Sequence, residues 1–381
     1  MQIFLNTEEV STIYQRMLGL NIGKKFANSQ NGKIIEATQQ HSEQENRRRE
    51  LLAVEEEAKK EKIIAQHGEQ HFRDQVSAHL YSKIITQINN HLNDQEQLFQ
   101  QVLRIEDTTT AILDLLAVRA ASIKRIKPLA KSLLWLGNDI VSLVNKPQYR
   151  KRADVQIHSV DVALGYIGLD NLKLVMPTFI LKHYLPSNTS PFSLMRRKLW
   201  NDSLSTGLAA SLLAQKQGVD EYAAFTAGLF SNLGRFIVTR IFFKAYHNIH
   251  AIEVKKAFDN QDKRLHDVLL AIKPDADVLL NQLTRHSARI GAEIIELMRF
   301  ERLPLTEPLF DLAYTTEYTK MHPIAQIITK VQGYIAFRNL AKEGLINSHE
   351  SKLLLATAKL LPEDIALLKK SDIDHLKLKF T

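Results

Sequence analysis

Residues 225–243 read Phe-Thr-Ala-Gly-Leu-Phe-Ser-Asn-Leu-Gly-Arg-Phe-Ile-Val-Thr-Arg-Ile-Phe-Phe, and they contain the most apolar stretch of the chain, near Ala227 to Phe243. Five phenylalanines cluster here, at positions 225, 230, 236, 242 and 243. Large aromatic side chains at this density predict one buried helical region rather than a cofactor site. Arg235 and Arg240 interrupt the stretch, so it is not expected to span a membrane.

Composition extends the helical prediction to the whole chain. The 381 residues are 45% apolar and include only 14 glycines and 10 prolines, whereas all-β proteins need many turn residues. The absence of cysteine excludes disulfides, cysteine-ligated zinc, iron–sulfur clusters and cysteine nucleophiles. Glu8 and Glu9 stand where a signal peptide needs an apolar run, so a cytoplasmic protein is predicted.

The N-terminal third predicts long helices. Neither Gly nor Pro occurs between Lys33 and His67, and after Gly68 the next is Pro128, which predicts two helices joined near Gly68. The first, around 43–62, is highly charged with a thin apolar stripe. The second carries a heptad seam of Tyr81, Ile85, Ile88, Leu92, Gln95, Phe99 and Val102. The seam could pack on the first helix, on the rest of the protein or on a second copy, so a homodimer through this helix remains open.

A domain boundary is predicted at the run Asp107-Thr108-Thr109-Thr110, whose side-chain oxygens can cap the next helix. Residues 1–106 are then an N-terminal helical arm of no recognised class. Residues 107–340 form the main helical domain, and residues 341–381 form a C-terminal helical extension.

Several stretches of the main domain resemble the HDOD family, the helical output domains of bacterial signalling that are related to HD-type metal phosphohydrolases. The resemblance is strongest over 112–303 and rests on residues 126–129 and 133–138 (IKPL and LLWLGN), 157–172, 199–203 (LWNDS) and 227–235 (AGLFSNLGR). Lys127 stands where the family usually has Asp. The resemblance implies a multi-helix HD-like bundle, and the order and spacing of the stretches strengthen it beyond a lone motif.

The same resemblance locates a degenerate hydrolase site. HD hydrolases hold a divalent metal through His and Asp side chains, and the metal activates a bound water. Here the His-Asp pair is replaced by Ser231-Asn232, an earlier family His falls at Asp202, and His286 matches the family's His-x-x-x-x-Gly helix start. We therefore expect no catalytic residue, no metal and no cofactor. Asp202 and His286 could still face a shared cleft, but the favoured reading is that Asp202 caps a helix from Ser203 and His286 caps or packs its own.

Two other groups of residues are candidates for binding. His67, His71 and His79 lie at helical spacing, but no carboxylate completes a zinc motif, so solvated histidines are favoured. Contacts to anions or partners are assigned to two basic clusters, Arg150-Lys151-Arg152 and Arg196-Arg197-Lys198. Nucleic-acid binding is not favoured, since the net charge of +8 permits it but no aromatic platform accompanies the clusters.

Together these features predict a non-catalytic bacterial signal-transduction, regulatory or scaffold protein that acts by binding a protein partner. One alternative is a residual metal-dependent phosphohydrolase acting on nucleotides or cyclic dinucleotides, and the Ser231-Asn232 replacement argues against it. The other is a nucleic-acid or nucleotide-binding regulator, whose binding would depend strongly on salt.

Overall fold

The computed structural model describes residues 2–30, 53–150 and 156–379, and the side chains of 53–67 lie outside that description. The all-α prediction is confirmed, because every regular element in these ranges is helical. The first helices are α1 (Glu8–Ile22), α2 (Lys24–Ser29), α3 (Ala53–Asn93), α4 (Gln95–Gln97), α5 (Asp107–Ala117), α6 (Ile123–Ser132) and α7 (Leu134–Val144). They are followed by α8 (Val160–Ile167), α9 (Leu169–His183), α10 (Met195–Gln217), α11 (Glu221–Phe230), α12 (Leu233–Asp259) and α13 (Lys263–Ala271). The last are α14 (Ala276–Leu297), α15 (Thr306–Tyr314), α16 (Pro323–Lys342), α17 (Ser348–Thr357) and α18 (Pro362–Lys370).

Helices α10, α11, α12, α14 and α16 form the centre of the bundle. Helix α10 ends at Gly218, whose φ of 68° lets the chain reverse, and the Asp220 carboxylate caps α11 by accepting the Ala223 N–H at 2.7 Å. Helices α10 and α11 then pack closely, since a Cβ on Gly228 would lie 2.9 Å from the Thr206 carbonyl oxygen. This contact fixes the end of α11 against the middle of α10.

Helix α3 corrects one prediction. It runs without a break from Ala53 to Asn93, so the expected joint at Gly68 is wrong. A glycine inside a helix costs about 1 kcal/mol relative to alanine, which a helix of 41 residues can tolerate. The first predicted helix, around 43–62, begins outside the described residues.

The heptad seam of α3 packs on the protein's own bundle. Tyr81, Ile88 and Leu92 are buried where α3 lies against α12 and α13, and the Tyr81 hydroxyl donates to the Lys273 carbonyl at 2.6 Å. Ile84, which flanks the predicted seam, is buried as well. Of the three partners left open by the sequence, the rest of the protein therefore covers this part of the seam, and a homodimer through the helix stays a prediction.

Both ends of the described chain join the same core. Helix α1 packs on α14, α16 and α17, where Arg16 pairs with Glu350 at 2.9 Å. At the other end, Asp364 of α18 is buried and accepts from Lys330 at 2.8 Å and from Lys216 at 2.9 Å. The division at residues 106 and 340 remains a prediction, but the packing shows that neither end stands apart from the bundle.

The C-terminal residues 371–379 form no helix and pack on the bundle. Their Ile373 is buried, and the Asn171 side chain binds both the N–H of Lys379, at 3.0 Å, and its carbonyl, at 2.8 Å. Among the described helices, none alone is long and apolar enough to cross a membrane. Helices α8 and α9 reach that length and apolarity only when taken together, and they are bent by 116° at the break between them.

Candidate functional site

The junction between α11 and α12 places the Ser231-Asn232 pair inside the protein. The Ser231 N–H donates to the Ala227 carbonyl at 2.8 Å and so ends α11, while Asn232 immediately precedes α12. Both side chains are buried. The Ser231 hydroxyl donates to the Gly228 carbonyl at 2.7 Å and accepts from Gln332 Nε2 at 3.1 Å. Asn232 Nδ2 reaches Thr206 Oγ1 at 3.5 Å. The pair therefore links α11 to α16 and α10.

Asp202 lies in the middle of α10 rather than ahead of a helix, so the expectation that it caps a helix from Ser203 is wrong. Asp202 is only 6% exposed. Carboxylate oxygen Oδ1 accepts from Asn339 Nδ2 at 2.9 Å, and hydrogen bonding by the Asn21 side chain also lowers the pKa of this carboxylate. A buried carboxylate needs a cation nearby to offset its lost hydration.

Arg235 supplies that cation. It lies in the first turn of α12, is 3% exposed, and places Nη1 3.9 Å from Asp202 Oδ2. Its Nη2 donates to the Tyr14 hydroxyl at 3.1 Å, and Tyr14 in turn stacks on Phe4 with ring centroids 5.5 Å apart. Burial raises the pKa of Asp202, and the positive charge of Arg235 opposes that rise.

His286 is not joined to this cluster. It lies in the middle of α14, so both the predicted helix start and its capping role are wrong. Burial and the neighbouring Arg289 and Arg285 lower its pKa, which favours the neutral imidazole. No hydrogen bond or ion pair described in the structure links His286 to Asp202, Ser231 or Asn232. The next residue, Ser287, lies directly against Gly234. The approach is so close that a Cβ added to this glycine would lie 1.7 Å from the Ser287 carbonyl oxygen.

The side chains of this cluster do not suit a divalent metal ion. The Ser231 hydroxyl is already hydrogen-bonded, Asn232 offers one neutral amide oxygen, and the one carboxylate, Asp202, faces a guanidinium. Across the described part of the chain, no group of three or more His, Asp or Glu side chains is arranged to hold a metal ion. His71, one of the three histidines at helical spacing, is exposed and bonded to Gln75 at 3.0 Å, and the side chain of His67 lies outside the described residues.

The two basic clusters have different surroundings. Arg150 donates to the Asn145 carbonyl, whereas Lys151 and Arg152 lie outside the described residues. Arg196 and Arg197 are exposed in the first turn of α10. Lys198 is half-buried, and its Nζ donates to the Leu20 carbonyl near the end of α1 at 2.6 Å. Lys198 thus belongs to the wall of a cavity, not to an open basic surface.

That cavity has a volume of about 540 Å³ and lies directly beside Asp202. Its walls come from the end of α1, the first turns of α10, the end of α16 and the C-terminal residues 371–379. His286 is not among the lining residues, so the cleft that Asp202 faces is not shared with that histidine.

Comparison with known proteins identifies the family of the central part of the chain. Residues 102–271 match the model of the HDOD domain family. The chain carries an HDOD domain. The resemblance inferred from the sequence is thereby confirmed, and the domain includes Asp202, Ser231, Asn232 and Arg235 but not His286. No curated protein matches the chain.

Three solved structures are similar to the chain. A proposed metal-dependent phosphohydrolase from Shewanella amazonensis SB2B shares 14% identity over 75% of this chain and 99% of its own, with a TM-score of 0.39. A proposed phosphohydrolase from the same organism shares 15% identity over 72% and 97%, with a TM-score of 0.40. A proposed signal transduction protein from Marinobacter aquaeolei VT8 shares 16% identity over 76% and 66%, with a TM-score of 0.42.

The surroundings of Asp202 were missed by the sequence analysis. Tyr14 and Asn339 lie outside the HDOD domain and far from Asp202 along the chain, so no local pattern could place them there. Arg235 was noticed only as an interruption of the apolar stretch and as the last residue of the 227–235 stretch. An arginine inside the most apolar stretch of the chain was the available signal, since such a residue needs a buried partner.

Proposed function

We propose that this chain is a non-catalytic regulatory protein of bacterial signal transduction, which works in the cytoplasm by binding a protein partner through its HDOD domain. The family itself supports the regulatory role. The observation that carries the non-catalytic part is the position of the Arg235 guanidinium, 3.9 Å from the Asp202 carboxylate.

Arg235 offsets the charge of Asp202 without offering hydrolytic chemistry. A metal ion in a hydrolase lowers the pKa of a bound water and so generates a nucleophile at neutral pH. A guanidinium stays protonated and has no site at which water can be coordinated. It also repels a divalent ion from the carboxylate beside it. The buried pair therefore favours a structural role for these residues.

Metal uptake tests the non-catalytic part. The purified full chain would be incubated with Mn²⁺, Fe²⁺, Mg²⁺ or Zn²⁺, desalted and examined by elemental analysis, and its hydrolysis of bis(p-nitrophenyl) phosphate would be measured. We expect no retained metal and no hydrolysis above buffer. Near-stoichiometric metal that is lost in an Asp202→Asn variant, together with hydrolysis lost in the same variant, would overturn the proposal.

Cross-linking in cells tests the partner. Leu134, on the HDOD domain, is 81% exposed, and Leu361, outside it, is 54% exposed, so glutamate at either position should leave the fold intact. We expect the chain to form a defined cross-link to another protein that Leu134→Glu weakens and Leu361→Glu does not. If the yield of every cross-link is the same in wild type and in variants of the exposed residues of the HDOD domain, the proposal that this domain binds a partner protein is wrong.

A further inference from the structure

Residues 371–379, which we call the C-terminal segment, are held on the bundle by a small number of side-chain contacts. Only Ile373 of this segment is buried, at 2% exposure, while Leu376 and Leu378 pack partly on the core. Among the described residues, no backbone-to-backbone hydrogen bond joins residues 372–379 to a helix. The segment therefore lies on the bundle as a peptide lies on its receptor, through a few anchors.

The anchor for Asp374 is a set of three hydrogen-bond donors. Arg338 of α16 donates from Nη2 to Oδ1 at 3.0 Å and from Nη1 to Oδ2 at 3.2 Å. The buried Ser205 hydroxyl of α10 donates to Oδ1 at 2.8 Å. A bidentate guanidinium selects a carboxylate by its geometry. The Asp374 side chain is nevertheless 52% exposed, and an ion pair so exposed adds little stability, so another carboxylate can take its place.

The anchor for Lys379 is the carboxamide of Asn171, in the first turn of α9. Its Oδ1 accepts from the Lys379 N–H at 3.0 Å, and its Nδ2 donates to the Lys379 carbonyl at 2.8 Å. Every residue except proline offers this donor and this acceptor, so Asn171 binds main chain without reading a side chain. Nδ2 also donates to the Ile167 carbonyl at 2.7 Å, a contact that holds the amide in place independently of the segment.

The segment carries local order of its own. The Asp372 carboxylate accepts from the Asp374 N–H at 3.2 Å and contacts His375 Nδ1 at 3.1 Å and Lys377 Nζ at 3.2 Å. All of these contacts lie within the segment. A peptide that orders itself loses less conformational entropy when it binds, so the segment can bind and leave as one unit.

The helix before the segment keeps it close to its anchors. The segment follows α18 directly, and the buried Asp364 of that helix is bonded to Lys330 and Lys216. A ligand on a short tether competes with free ligands at an effective concentration on the order of mM. Because the segment occupies its anchors at that concentration, the same sequence as a free peptide should bind with a Kd below about 1 mM.

We infer that Asn171, Ser205 and Arg338 form a peptide-binding site that the C-terminal segment occupies as an internal ligand, and that a partner protein binds there by displacing the segment with a stretch of its own. The displacing stretch has an aliphatic residue followed directly by Asp or Glu, as Ile373 and Asp374 are here. Only the source of that stretch rests on the proposed function, because the peptide site is defined by the chain's own contacts.

Fluorescence anisotropy of a labelled peptide tests the site on the full chain. The probe is residues 370–379 with blocked ends, and the released variant carries Ile373→Ala and Asp374→Ala, which alter the segment but none of the three anchor residues. We expect the probe to bind the released variant at least about tenfold more tightly than the wild type, whose own segment competes. Equal affinities, or no binding to the released variant below about 1 mM, would overturn the inference.

Asp374→Ala alone keeps the test valid if the double variant does not fold. This change alters an exposed side chain and removes one anchor. We expect it to tighten binding of the probe at least about threefold relative to the wild type. An affinity equal to that of the wild type would again overturn the inference.

A second substitution locates the contact. Arg338→Gln, added to the released variant, should weaken binding of the probe about tenfold, whereas a probe with Asp374→Ala should bind equally with and without that substitution. Arg119→Gln is the matched control, since Arg119 is an exposed arginine between α5 and α6, and it should leave both affinities unchanged. If Arg338→Gln weakens both probes alike, Arg338 does not read the acidic residue and the inference is wrong.

The proposed function and this inference can fail separately. Specific probe binding without any cross-link that depends on the HDOD domain would support the peptide site and refute the protein partner. A cross-link that depends on the domain, without probe binding to the released variant, would support the partner and refute the peptide site.

Discussion

Gly234 offers the sharpest test of how helix α12 of the HDOD domain packs against α14. It lies in the first turn of α12, where that helix crosses α14. A Cβ at this position would lie 1.7 Å from the carbonyl oxygen of Ser287 and 2.9 Å from the nitrogen of Gly291. Both neighbours are helix backbone and cannot rotate away as a flexible side chain could. We therefore expect Gly234→Ala to push the two helices apart.

The size of the effect follows from two opposing terms. Overpacking a well-packed core costs typically 1–3 kcal/mol and occasionally more, and a clash with backbone belongs at the upper end, at about 3–5 kcal/mol. Alanine recovers about 1 kcal/mol of helix propensity relative to glycine. The net loss of unfolding free energy is about 2–4 kcal/mol. Since the unfolding entropy of a chain of 381 residues is about 0.8 kcal/mol per kelvin, the melting temperature should fall by roughly 3–5 °C.

Differential scanning calorimetry of Gly234→Ala and a matched control measures this fall. The control is Gly165→Ala, because Gly165 lies within α8 and a Cβ there meets nothing within 4 Å. That variant should gain up to about 1 kcal/mol and melt at or slightly above the wild type. If Gly234→Ala melted with the control, the close approach of α12 to α14 would not exist, and the reasoning would be refuted.

Three further predictions follow from the described contacts. Asp364→Ala should destabilise the protein by about 3–5 kcal/mol in urea unfolding, because it leaves the buried Lys330 without its partner. The control Glu363→Ala removes an exposed carboxylate and should lower the free energy of unfolding by less than about 1 kcal/mol, so equal losses would contradict the buried pairing. Burial raises the pKa of Asp202, so the free energy of unfolding should fall as the pH rises from about 4 through that raised pKa. Urea midpoints measured across this pH range should show a smaller fall in Asp202→Asn, and an unchanged pH profile in that variant would contradict the prediction. Gly68→Ala should raise the helical circular dichroism signal and not lower the melting temperature, whereas a helix break at Gly68 predicts the opposite.

The parts of the fold that could be predicted from sequence are those with a local pattern. The five phenylalanines of 225–243 are all buried, as their density indicated. The seam of α3 is buried at Tyr81, Ile88 and Leu92, as the heptad spacing indicated, although the spacing could not say what covers it. Gly68 shows the limit of such patterns, because a glycine weakens a helix without ending it unless the backbone leaves the helical region.

The candidate site could be predicted only in part, because its partners come from distant segments. The sequence assigned Asp202, Ser231 and Asn232 to one region, and in the structure the Thr206 hydroxyl contacts both the Asp202 carbonyl and the Asn232 side chain. Arg235 and Asn339 contact the Asp202 carboxylate and oppose the rise in its pKa that burial causes, yet both lie far from it in the sequence. Helix positions were misjudged for Asp202 because a cap motif and a mid-helix residue look alike without the neighbouring helix ends.

The pairing of Asp202 with Arg235 explains how a buried carboxylate can persist in this domain when the His-Asp pair is absent. A lone carboxylate in the core would be strongly destabilising, and a metal ion would offset its charge only where further ligands hold it. A guanidinium attached to the fold needs no such ligands and keeps its charge at every physiological pH. The Tyr14 hydroxyl accepts from that guanidinium at 3.1 Å, so a residue of the N-terminal helix helps to hold Arg235 in place. Arg235→Leu alone should therefore destabilise the protein more than a double variant in which both Asp202 and Arg235 are apolar residues of similar size. Only the single variant leaves a buried charge unpaired. A double-mutant cycle of urea unfolding energies measures the difference, and additive losses would show that the two side chains do not act as a pair.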